Sequence, residues 1–177
     1  MTLYSTILFL HVLGMLGLVT ALGIEWVLLR YVARAGSREE AQAWLRPTAV
    51  LPRLAIASIV LVLISGIYLG IHLRAGDQAW VRVSLFALLF IAALGIFAGK
   101  RMRALRWASS EIRELVNDPR LQTPIRIRFS VLLGIVFVMV VHANLALSLS
   151  TMGAALAIGL VWSAPAWKVK GPATGPA

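Results

Sequence analysis

The segment Leu3–Leu29, LYSTILFLHVLGMLGLVTALGIEWVLL, decides the fold. Its roughly 27 residues, rising about 1.5 Å each, make a helix of roughly 40 Å, enough to cross a hydrocarbon core of about 30 Å with some tilt. Two of its residues can ionise, His11 and Glu25. A charge at bilayer depth costs about 2.5–3.5 kcal/mol on insertion scales, so such residues turn toward protein rather than lipid. His11 and Glu25 are fourteen positions apart, about 40° short of four full turns, and so share one side of the helix. Along the axis they are roughly 21 Å apart, near opposite surfaces. They belong to two sites, not one.

The rest of the chain reads the same way. Of 177 residues, 60% are hydrophobic and only 14% charged, and the mean hydropathy is +0.87. A soluble domain is about a quarter charged, so this is an all-α integral membrane protein in a lipid bilayer. The net charge of +10 does not point to nucleic acid. The basic residues cluster in loops beside apolar spans, which is the pattern of membrane topology. With no cysteine, disulfides, thiolate metal sites and iron–sulfur clusters are excluded. The start lacks the basic n-region of a cleavable signal.

Five transmembrane helices are expected, about residues 3–29, 54–73, 81–99, 127–147 and 151–167, in a single domain over residues 1–170. The tail 171–177 is Gly/Pro-rich and expected to be flexible. Arg30, Arg34, Arg38, Arg46 and Arg53 follow the first span. Lys100, Arg101, Arg103, Arg106, Arg113, Arg120, Arg126 and Arg128 lie between the third and fourth, and Lys168 and Lys170 follow the fifth. The other connections carry only Arg74 and Arg82. The positive-inside rule then puts the N-terminus outside and the C-terminus in the cytoplasm, as for a multipass protein of a bacterial inner membrane. Ser37 and Glu40 form a Ser-x-x-Glu capping box for a short surface helix. Lys100–Val116 continues the third span as an amphipathic extension. Met102, Leu105, Ile112 and Val116 lie on one side of it. Arg103, Arg106, Arg113 and Glu114 lie largely elsewhere, and Glu111 and Glu114 read as surface charge. Asn117-Asp-Pro-Arg and Pro124 are expected to end it.

The histidines carry the chemistry. His11 in the first span and His142 in the fourth fall at similar depth below the outer surface; His72 ends the second span on that side. Neutral imidazole ligates haem iron, copper or zinc, and a histidine pair on facing helices is how b-type haem is held in a bundle. Cofactor binding is therefore expected at His11 and His142, with His72 as a third metal-ligand candidate. Three histidines allow at most one bis-histidine haem. Glu25, beside Trp26, is either an ion pair with Arg53, Arg126 or Arg128, or a proton-carrying carboxylate. Gly66/Gly70 and Gly95/Gly99 are GxxxG pairs, read as helix-packing devices. No HExxH, GxSxG, P-loop or GxGxxG motif occurs, so no catalytic residue is assigned.

Leu10-His-Val-Leu-Gly-Met-Leu-Gly resembles the opening helix of the CopD-like copper-resistance family and of the HemJ-type protoporphyrinogen oxidases, small helical membrane proteins associated with haem b. Trp80 and Arg82 fit the start of their third helix loosely. The resemblance implies haem b, or copper, with His11 as a ligand. The arginine after a proline and the third-helix lysine of the HemJ type are not reproduced by Glu25 and Arg30, and only His11 carries over.

Three functions follow from these features. The first is a redox protein holding one haem b between the first and fourth spans and exchanging electrons with quinone. The second is a non-catalytic accessory subunit, packed in a homo-oligomer or a larger membrane complex. The third is a small transporter built on Glu25 and the Ser58/Ser65 stripe.

Overall fold

The structure, a computed structural model, describes residues 3–107 and 116–168. It holds α1 (Leu3–Arg34), α2 (Arg38–Leu45), a 3₁₀ turn (Arg46–Ala49), α3 (Leu51–His72), α4 (Ala79–Trp107), α5 (Pro119–Val141) and α6 (Leu145–Lys168). Among the described residues there is no strand, and five helices are long and apolar enough to cross a membrane. The protein is a multipass helical membrane protein. Its apolar residues left uncovered by protein, such as Phe9, Ile64, Phe86, Val140 and Val161, make the surface that lipid covers. Ile112, Arg113, Glu111 and Glu114 of the expected amphipathic extension lie outside the described residues, as do the side chains of Leu105 and Arg106 and the tail 171–177. Met102 and Val116, from its apolar side, are fully buried.

The helix ends differ from hydropathy. The fourth span was expected over 127–147, but α5 runs from Pro119 to Val141. Asp118 caps it, its side chain accepting from the Arg120 N–H at 2.9 Å, and Pro119 sits in the first turn, where a missing N–H costs nothing. Pro124 lies inside the helix rather than ending the preceding segment. At the other end, His142 adopts the left-handed conformation (φ 53°) and stops the helix. Asn144 then accepts from the Leu147 N–H at 2.9 Å and caps α6. The turn between these spans is therefore His142–Asn144, not Ser148–Thr151, which lies in α6. The capping box holds: the Ser37 hydroxyl accepts from the Glu40 N–H at 3.1 Å, and the Glu40 carboxylate accepts from the Gly36 N–H at 2.8 Å. It starts α2, whose Ala41 and Leu45 bury against α1 while Trp44 stacks on Tyr31.

α5 is the centre of the bundle. It packs on α4 and α6 and touches α1, while α1 lies chiefly along α3. Half of its most apolar stretch is buried by protein, more than in any other span. Two clusters hold the bundle. Leu18, Leu22, Val62, Ile91, Leu132 and Ile135 fill the middle. Leu29, Val32, Leu45, Met102, Leu121 and Ile125 fill the arginine-rich end.

Close helix approach occurs at Gly14, Gly17 and Gly159. A Cβ at Gly14 would stand 2.8 Å from Val62 Cγ2, and one at Gly17 2.5 Å from Ser58 Oγ. At Gly159 it would meet the Ile127 Cα at 2.9 Å, a backbone atom that cannot swing aside. Gly159→Ala is expected to destabilise the fold by about 1–3 kcal/mol, as overpacking does. Gly153→Ala, where nothing lies within 4 Å, serves as the control. Thermal unfolding of both variants in one detergent checks this; equal melting temperatures would refute the contact.

Candidate functional site

His11 lies on the face of α1 that meets α3. Its Nδ1 is 3.1 Å from the Ser65 hydroxyl. That hydroxyl has one proton, and the Leu61 carbonyl accepts it at 2.5 Å. The Val62 carbonyl is a second acceptor for that hydroxyl, at 3.3 Å. With the proton given to Leu61, Ser65 Oγ accepts from a His11 Nδ1–H, the tautomer that keeps the Nε2 lone pair free. This is how proteins orient a histidine that must accept a hydrogen bond or ligate a metal. Gly66 makes the room: a Cβ there would sit 3.1 Å from His11 Cε1.

The ring faces a partly open cavity of about 260 Å³ toward the arginine-poor end. α1 contributes His11 and Met15, α3 contributes Gly66 and Gly70, α4 contributes Arg82 and Ser84, and α5 contributes Met139. α3 and α4 touch only sparingly, which is why space remains between them. The lining is almost wholly apolar apart from three side chains. Arg82 is paired with exposed Asp77 and donates through Nε to the Gly76 carbonyl at 3.1 Å. Ser84 is 1% exposed, and its hydroxyl has no partner among the described residues. A buried hydroxyl without a partner costs roughly 1–3 kcal/mol, so a ligand that reaches it through a local shift of the cavity wall gains affinity at that point.

The other histidines lie elsewhere. The His142 ring packs edge-on against Trp80 at 4.9 Å, and its Nδ1 is 3.2 Å from the Val140 carbonyl. The His72 ring lies between Tyr4 and Tyr68, at 5.5 and 5.9 Å. α1 and α5 do touch, as the haem reading requires, yet His11 is the only histidine lining the cavity. Among the described residues no three His, Cys, Asp or Glu side chains converge as metal ligands. The three-histidine set is thus not brought together, because His142 ends a helix and His72 sits among aromatic rings. The metal-ligating type that α5 does bring to the cavity is Met139.

Glu25 forms a second constellation. Of the three arginines within sequence reach, Arg128 is its partner: Nη1 donates to Oε2 at 3.0 Å, with both side chains buried. The guanidinium lies over Gly95, where a Cβ would be 3.2 Å from Nη2 and 3.3 Å from Cζ. The GxxxG pairs therefore do not bring backbones together. Gly66 accommodates an imidazole and Gly95 a guanidinium, while Gly70 and Gly99 have nothing within 4 Å. The Glu25–Arg128 contact thus links α1 and α5 inside the bundle.

No family model, curated protein or solved structure matches this chain. Its function must be read from the geometry alone. Ser84 and Met139 had no sequence signal: a serine and a methionine among apolar residues look like any other positions of a membrane span. Only the convergence of α4 and α5 on His11 singles them out.

Proposed function

We propose that this is a membrane redox protein that binds a flat, lipid-soluble molecule of the quinone class in the cavity beside His11. The observation that carries the reading is the pairing, in one apolar cavity, of a histidine anchored through Nδ1 at the Ser65 hydroxyl with the buried Ser84 hydroxyl. A quinol hydroxyl would donate to His11 Nε2, and Ser84 would hydrogen-bond an oxygen of the ligand. Apolar walls with a few placed polar groups are what a small-molecule site needs. The cavity is partly open and its walls are apolar, which suits a molecule that dissolves in lipid. The arginine distribution supports a bacterial inner membrane as the location.

Haem b is the second reading, favoured by the Ser65–His11 arrangement, which would anchor the ring for iron binding through Nε2. His11 would hold the iron, with Met139 rather than His142 as the candidate second ligand from α5. Bound haem would supply one-electron chemistry at that place.

Titration of detergent-purified protein with a short-chain benzoquinol under anaerobic conditions, followed by tryptophan fluorescence, tests the first reading. His11→Ala and Ser84→Ala are each expected to weaken binding roughly two- to tenfold, the worth of one hydrogen bond. Binding that is absent in the wild type, or unchanged in both variants, would overturn it. A Soret band in protein from haem-replete cells, lost in His11→Ala, would favour the second.

A further inference from the structure

At the arginine-rich end, a second cavity of about 360 Å³ lies between α1, α5 and α6. Arg30, Arg34 and Arg126 all line it, joined by Asn117 and Gln122, and among the described residues no carboxylate does. Like charges in one cavity repel each other, so their convergence calls for an anion. The two central guanidiniums are held in place. Arg30 lies over the Trp26 ring at 4.8 Å and Arg126 over the Trp162 ring at 5.8 Å. The two tryptophans meet edge-to-face at 5.4 Å. Arg126 also donates to the Trp162 carbonyl, while its buried Nε has no partner among the described residues. Glu25, the nearest carboxylate on α1, is engaged by Arg128, and Asp118 by Arg101 at 3.4 Å.

From this arrangement we infer a binding site for a phosphate group, presented by an anionic phospholipid headgroup or by a soluble phosphate. Guanidinium forks match phosphate oxygens in geometry as well as charge. Tryptophans concentrate at headgroup depth, the level at which lipid phosphates lie. Basic pockets between spans on the positively charged side take anionic headgroups. The site is separate from the His11 cavity and does not depend on the function proposed there.

Native mass spectrometry of the full chain, released from micelles doped with phosphatidylglycerol or phosphatidylcholine, tests the lipid source. Thermal shift with inorganic phosphate tests the soluble one. Wild type is expected to retain phosphatidylglycerol over phosphatidylcholine, or to be stabilised by inorganic phosphate. Arg30→Gln/Arg126→Gln is expected to weaken that response by about 25-fold, at roughly fivefold per arginine. Arg126→Lys, which keeps the charge, should retain most of it, and Arg103→Gln, on an exposed arginine outside the cavity, all of it. If the double variant fails to fold, Arg30→Gln alone carries the roughly fivefold test. Lipid retention that the variant loses assigns the site to a headgroup, and a phosphate shift that it loses assigns the site to a soluble anion. No anion preference in wild type, or an equal loss in Arg103→Gln, overturns the inference.

Discussion

Arg128→Leu is expected to cost about 3–5 kcal/mol of stability, the largest single-residue effect in this protein. The substitution leaves Glu25 buried with its carboxylate unpaired, and desolvating a charge is costly unless it is matched. Glu25→Leu should cost a similar amount for the mirror-image reason. The double variant Glu25→Leu/Arg128→Leu should recover most of the loss, or exceed wild type by about 1–4 kcal/mol, because two apolar side chains in place of a buried ion pair have no charge to desolvate. Gly95→Val should resemble the arginine variant, since its side chain enters the space of the guanidinium. Unfolding of the four proteins by denaturant in one detergent decides the matter. Additive losses in the double variant would mean that the two residues do not act as a pair.

The second large effect concerns the cavity. Gly66→Leu would place four carbons where the His11 ring and the cavity now meet. Each CH₂-sized group of a ligand denied burial loses about 0.8 kcal/mol, so four amount to about 3 kcal/mol, or roughly a hundredfold in Kd. Gly70→Leu probes the same volume from the next turn, without a contact to His11, and should show the apolar part of the loss alone. Quinol titration of both variants, with circular dichroism to confirm the helical fold, measures the difference. Wild-type affinity in Gly66→Leu would place the ligand elsewhere.

The two glycine pairs show what could and could not be seen from the residues. Five spans were legible because apolar runs and arginine placement are properties of the chain itself. The ends of α5 were not. Arg120, Gln122, Arg126 and Arg128 look like loop residues, yet Gln122 and Arg128 are buried by neighbouring helices, which lets the helix start at Pro119. His142 and Asn144 were read as helical because apolar residues flank them on both sides. In the fold they are a left-handed cap and an N-cap. Gly66 and Gly95 carried the signature of backbone approach. What each faces instead is a large side chain from another helix, and spacing within one helix cannot report that. The turning of His11 and Glu25 toward protein was legible, though they face different helices, α3 and α5. Their partners, Ser65 and Arg128, depended on which helices are adjacent.

The buried pair also bears on how the protein enters its membrane. α5 carries Arg126 and Arg128 within its own length, and neither is readily released into lipid alone. α1, which is synthesised before α5, brings Glu25, the carboxylate that pairs with Arg128. Stable insertion of α5 is thereby tied to an α1 already in place, so a chain that loses Glu25 would fail first in biogenesis, as a misinserted fourth span, before any ligand was met.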